Sequence, residues 1–453
     1  MYKEISFAHG AANRRSLFVP LWLAEGYLFI TFLMFLVTPL REEAVGLGLL
    51  TFFVAACNLA FLGGYLFFFR KPHCGSNRLT ASISILRFAI GLAIVWTIAF
   101  WVQYYHDTGG GTSLATRLAH PGDSYLMRRQ LLLEATSPEN KPISRIGQLE
   151  RALSVLYVCL PVFGILLWSK LGWLLRIGVL AAMSTVVVAA WATGTNEPLG
   201  HLAILVVCAF FIRHFGRWPR ARAPGLRRRS KLTMAVAVFG TFLAFTLFMG
   251  YNLEDRVNAR KWYDPRANVG ELSSLSFLSP QIREAISTVW FYPANGYCGL
   301  SYALQTPFEW TYGVGSSRGI QAYLKDHLGI EGVLERTYPF RAEAEFNWPA
   351  GGFWWTMYPW LASDLTFPGV ILFMFGLGWA CAKTWYECTR LNDLFAAIVF
   401  ALIFLTIVFE PANVQLLVSQ RGVWILLGAL SLYFWSRLFI PRLPARIPSS
   451  SCP

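Results

Sequence analysis

Residues 17–39 read LFVPLWLAEGYLFITFLMFLVTP, and Glu25 is the one ionisable acid or base among them. A run of this length and apolarity fits the roughly 20 residues that a helix needs to cross a hydrocarbon layer of about 30 Å. No small-residue cleavage site follows it, so the stretch is expected to stay as a span rather than be removed as a leader. On the same rule further spans are expected near 45–69, 82–104, 152–168, 171–193, 197–215, 232–250, 366–385, 394–410 and 421–440. The expected fold is an all-α polytopic membrane protein of about ten transmembrane helices. Composition agrees over all 453 residues: 55% are hydrophobic, 16% aromatic and 14% charged, against about 25% charged in soluble proteins. Continuous apolar runs also exclude the alternating strands of a transmembrane β-barrel.

Charge sets the expected orientation. The loop from Arg213 to Lys231 holds eight Lys or Arg residues, and basic loops stay on the cytoplasmic side. Both termini are then cytoplasmic, and the net charge of +14 reads as a topology signal; the Arg227-Arg228-Arg229 run is assigned to it rather than to nucleic acid. Of eight cysteines only Cys298 falls outside, so no disulfide can form there within one chain. The chain has no C-x-x-C pair, no H-E-x-x-H, no P-loop and no dinucleotide-binding G-x-G-x-x-G. No metal and no cofactor is expected, and a substrate must arrive already activated.

Two segments exceed simple connectors: 106–151, and about 115 residues over 251–365. Both lie on the outer side in this orientation, giving a division into 1–250 (seven spans and the first outer loop), 251–365 (the large loop) and 366–453 (three spans and the C-terminal tail). Ser279-Pro280 reads as an N-cap with proline at the first helical position. A second amphipathic helix is expected from Ser316 or Ser317, with Ile320, Tyr323, Leu324 and Leu328 on one face. Both are expected to lie on the bilayer surface.

Between these helices stand Tyr292-x3-Gly296-Tyr297-x-Gly299-Leu300-x2-Ala303-Leu304 and Pro307-Phe308-Glu309-Trp310-Thr311-Tyr312-Gly313-x-Gly315-x-Ser317-Arg318. Later comes Tyr358-Pro359-Trp360-Leu361-Ala362-Ser363-Asp364-Leu365-Thr366-Phe367-Pro368-Gly369. These stretches, about a fifth of the chain, resemble the outer-loop signature of bacterial oligosaccharide repeat-unit polymerases, the O-antigen polymerase (Wzy-type) group. The resemblance implies a GT-C-like multi-span glycosyltransferase in the bacterial inner membrane, with the large loop periplasmic. Such an enzyme transfers a growing glycan from polyprenyl diphosphate to the next lipid-linked repeat unit. Its implied partners are polyprenyl-diphosphate-linked glycans and membrane lipids, with a chain-length regulator and a flippase beside it and no nucleic acid. The alternatives are an O-antigen ligase that delivers the glycan to lipid A core, and a non-catalytic lipid-linked glycan transporter.

A diphosphate leaving group calls for fixed cations, and arginine suits because its planar fork binds phosphate oxygens bidentately. Arg318 is the first candidate, since it opens a helix after a Gly-x-Gly-Ser-Ser turn where backbone N–H groups also favour an anion; the other reading is a loop arginine that caps or pairs. Arg283, Arg336, Arg341 and Arg421 are further substrate-binding candidates. Tyr297, Tyr312 and Trp310, inside the resembling motif, join them. An incoming hydroxyl needs at most a weak base, for which Glu309, Asp364 and His201 are the candidates, with Glu410 and His327 as similar cases. The aromatic run Phe346, Trp348, Phe353, Trp354, Trp355, Tyr358 and Trp360 is expected as an interfacial belt. Asp123, Ser124 and Tyr125 with Arg128 and Arg129 could meet a second diphosphate or be plain surface charge, and Glu25 and Arg87 are expected to pair within the membrane.

Overall fold

The computed structural model describes residues 16–70, 83–107, 113–127, 149, 152–216, 240, 243, 248, 294–351, 353–412 and 414–439. Among these, the regular elements are all helical. In chain order the principal helices are α1 (Val19–Val37), α2 (Leu47–Phe68), α3 (Ile83–Asp107), α4 (Val155–Leu166), α5 (Trp173–Ala192), α6 (Glu197–Phe215), α7 (residues 294–303), α8 (Arg318–Leu328), α9 (Tyr338–Phe346), α10 (Met357–Arg390), α11 (Leu394–Phe409) and α12 (Gln420–Phe439). Six helical stretches, those containing α1, α2, α3, α5, α6 and α10, are long and apolar enough to cross a membrane, and α4 and α11 are shorter apolar helices. The expected span at 421–440 corresponds to α12. The one expected at 232–250 falls almost wholly outside the described residues.

Helix α1 shows why these elements suit lipid. Leu21, Ala24, Leu28, Thr31 and Phe35 recur at three- and four-residue steps and are buried, whereas Trp22, Phe29 and Ile30 on the other side are 70%, 63% and 56% exposed. A helix apolar all round, with large side chains outside, needs an apolar solvent. Internal packing then relies on close backbone approach. A Cβ added at Gly64 of α2 would run into the Phe375 carbonyl of α10, and one added at Gly378 would run into the Phe61 carbonyl. These reciprocal glycines let the two helices touch backbone to backbone, as small residues do between membrane helices.

The chain forms two compact units. One takes in Met1–Thr80, Phe215–Trp218 and Tyr292–Pro453, the other Ala81–His214 and Pro219–Phe291. The division cuts across the segments expected from the sequence, because α1 and α2 belong with the large loop's second half and the last three long helices.

In the second unit Arg87 donates from Nε (3.1 Å) and Nη2 (2.6 Å) to the Lys170 carbonyl. In the first, Glu25 has a buried carboxylate oxygen without a hydrogen bond. Arg87 thus satisfies the end of a helical turn, where orphan carbonyls need donors, and the two members of the expected Glu25–Arg87 pair fall in different units.

In the first unit α11 is the central element, buried along most of its length, with Asp393 capping it through Ala396 N–H (2.9 Å). Arg437 near the end of α12 forms ion pairs with both Glu387 and Asp393 (3.1 Å to the latter), and the Tyr433 hydroxyl donates to Glu387 (2.7 Å). Helix α10 begins at Met357, earlier than the expected span at 366, and continues through a break at Thr366 (φ 63°, ψ 164°). The break has a cause in Pro368, whose ring would collide with the carbonyl of Asp364 in an unbroken helix. The short segment before the break, 357–365, carries the groups that hold the 311–316 turn.

Candidate functional site

The site is built where the 307–318 segment meets the first two turns of α10. Asp364 accepts from Gly315 N–H and Ser316 N–H at 2.8 Å each, and from the Thr311 hydroxyl. Thr311 also donates from Oγ1 to the Ser363 carbonyl (2.7 Å). The Ser363 hydroxyl in turn accepts from Tyr338 N–H (3.0 Å), which ties the start of α9 to the same turn. Gly315 is required here, because a Cβ would overlap Thr311. Both Asp364 oxygens are engaged by donors of one loop, so this carboxylate, a base candidate in the sequence, works as the anchor of the 311–316 turn.

That turn delivers Arg318 to the first position of α8. Ser317 is the N-cap and accepts from Ile320 N–H (3.2 Å), while Gly329 closes the helix in the left-handed conformation (φ 64°). Buried Gln321 donates to the Val314 and Gly315 carbonyls at 2.9 Å, whereas Tyr323 and Leu328 are exposed. Gly319 packs directly on the backbone of Gln420, next to half-buried Arg421 at the start of α12.

The Arg318 guanidinium lies 4.9 Å from the Trp360 ring centre and 5.2 Å from that of Phe340. Nη2 donates to the Ala350 carbonyl (3.0 Å), and Nε is buried without a partner. Among the described residues no carboxylate stands within ion-pair distance of it. Burial pulls its pKa below the usual arginine value, with Glu343 acting in the opposite direction. A desolvated cation at a helix N-terminus, with a donor to spare, favours an anion by charge and by geometry. Other buried donors nearby in the sequence also lack partners, among them the Asn295 amide and the indole N–H groups of Trp348, Trp355 and Trp360.

A second, more exposed cluster forms on the same loop. Glu309 lies between Arg336 (3.8 Å) and Arg341 (3.4 Å). Arg336 donates to the Tyr312 hydroxyl (2.8 Å) and sits over that ring, and Arg341 donates to the Pro307 carbonyl (2.7 Å). Trp310 and Tyr312 have ring centres 5.3 Å apart. Five candidates from the sequence thus meet in one patch.

Of the remaining candidates, Tyr297 is buried in α7, its hydroxyl 3.2 Å from the Thr31 hydroxyl and its ring against Phe32 and Phe35, so it packs the helix bundle. Its Gly296 neighbour explains this placement by pressing on the Pro411 carbonyl. His201 belongs to the second unit and lies 4.0 Å from Glu197 one turn away. Arg283, Arg128 and Arg129 lie outside the described residues, as does the His327 side chain; Asp123 is exposed. Glu410 is buried beside the Tyr358 side chain.

The expected interfacial belt is corrected. Trp348, Trp355, Tyr358 and Trp360 are buried to 2% exposure or less, with Trp348 against Phe353 and Tyr302 and Phe346 stacked on Tyr302. These rings form the core of the loop, where Gly299 of α7 leaves room for the Trp348 and Trp355 indoles. Sequence reasoning also missed Trp360 as the Arg318 platform and Thr311 and Ser363 as loop anchors. No local pattern distinguishes them from their neighbours. No protein-family model, no curated protein and no solved structure matches this chain.

Proposed function

We propose that the chain is a ten-span membrane glycosyltransferase that polymerises polyprenyl-diphosphate-linked oligosaccharide repeat units at the periplasmic face of a bacterial inner membrane. The observation that carries the reading is Arg318, half-buried, without a carboxylate partner among the described residues, and placed at a helix N-terminus with its buried Nε free of any hydrogen bond. In the proposed reaction a hydroxyl of the incoming unit attacks the anomeric carbon of the donor, the bond from that carbon to the diphosphate breaks, and the diphosphate leaves with the electron pair. Arg318 and the first N–H groups of α8 take the charge that develops on the leaving oxygen. Asp364 is the scaffold of this clamp. Glu309 is then the accessible carboxylate of the same loop available to accept the hydroxyl proton.

The test is the surface-polysaccharide ladder of a strain lacking the protein, resolved beside the pool of carrier-bound glycan. Core bearing a single repeat unit and no ladder supports a polymerase, and failure of Arg318→Ala to restore the ladder at normal abundance supports the clamp. Long glycans stranded on the carrier identify a ligase instead. An unchanged ladder removes both.

A further inference from the structure

We infer that Phe308, Trp310 and Tyr312 form a docking platform for a glycan chain, stacking on the apolar faces of its pyranose rings; the inference rests on the glycan-transfer reading above and names where the acceptor lies. Alternate positions of this segment turn their rings outward, 44%, 54% and 57% exposed, while Thr311 between them is fully buried and held by Ser363 and Asp364. The segment is therefore pinned from behind and bare in front. Tyr312 adopts φ 59°, a left-handed conformation that is costly for an aromatic residue, and Gly313 follows at φ 80°. The ring lies beside Trp310, Arg336 donates to its hydroxyl with the guanidinium 5.2 Å from the ring centre, and 57% of the residue stays exposed.

The rim supplies what sugar hydroxyls need. The Glu309 carboxylate, Arg336 and Arg341 flank the rings with acceptors and forked donors. Amphipathic, low-entropy aromatics framed by polar groups are the usual composition of a recognition surface. The platform runs directly into the Gly315-Ser316-Ser317 turn that presents Arg318, so a chain laid on the rings has its end directed toward the proposed diphosphate clamp.

The test uses the full-length protein in lipid nanodiscs, labelled with 5-fluorotryptophan, with the Trp310 resonance assigned as the one missing from Trp310→Phe. The probe is oligosaccharide released by mild acid from the host's surface polysaccharide, a material whose supply does not depend on what this protein does. A saturable shift of the Trp310 resonance is expected, with affinity at least about tenfold weaker in Tyr312→Ala and nearly retained in Tyr312→Phe. No shift at millimolar oligosaccharide overturns the proposal. So does broadening of the Trp310 resonance by a doxyl-labelled lipid without any response to oligosaccharide, which would mark a bilayer anchor. An unchanged ladder in the strain lacking the protein defeats the polymerase reading without touching this binding result, so the two failures are separable.

Discussion

The Arg318 guanidinium lies 4.9 Å from the centre of the Trp360 ring and has no carboxylate within ion-pair distance among the described residues. Trp360 sits in the first turn of α10, and four residues later Asp364 bonds the turn that leads into Arg318. One helical segment thus both supports the arginine and aims it. Removing the fork while keeping the charge separates those roles. Arg318→Lys is expected to preserve abundance but lower transfer activity by about 100-fold, since lysine can neither bond two phosphate oxygens in one plane nor stack on the indole. The measurement is ladder length per molecule of protein, with abundance read by immunoblot.

Asp364→Ala strips acceptors from two backbone N–H groups and the buried Thr311 hydroxyl. The expected loss is about 2–4 kcal/mol of stability, read as a lower melting temperature in detergent and a protease-sensitive 311–318 segment. Asp364→Asn should be intermediate. The activity that survives should keep the pH profile of the unaltered protein; a lost acidic limb would make Asp364 the base after all.

Gly64→Leu and Gly378→Leu push a side chain into carbonyls of the facing helix. Each is expected to destabilise by at least about 2 kcal/mol and to cut the folded, monodisperse fraction severalfold in size-exclusion chromatography. Gly26→Ala, where nothing lies within 4 Å of the added methyl, should behave as the unaltered protein.

Arg437→Met leaves Glu387 and Asp393 facing each other without their shared cation. A buried pair broken on one side costs about 3–5 kcal/mol. Abundance should fall sharply, and the triple substitution Arg437→Met, Glu387→Gln, Asp393→Asn should recover much of it. Equal abundance in the single and triple variants would show that the cluster is not coupled.

What the sequence determined alone is what depends on neighbours along the chain. Hydropathy over about 20 residues is a local sum, so the expected spans at 17–39, 45–69 and 171–193 coincide with helices to within a few residues. The Ser317 cap and the Gly329 stop of α8 are equally local, because each satisfies backbone groups within one turn. Tertiary structure decided everything that turns on distant partners. The same carboxylate type is an anchor at Asp364, a bridge between two arginines at Glu309 and a buried group beside Tyr358 at Glu410, according to which partners the fold brings within reach. The aromatic run from Phe346 to Trp360 has the composition of an interfacial belt, yet Trp348, Trp355, Tyr358 and Trp360 became core, with Gly299 of α7 admitting two of the indoles. Periodicity records which face a residue takes on its own helix. It carries nothing about what that face meets, and the chemistry of Arg318 depends on that meeting.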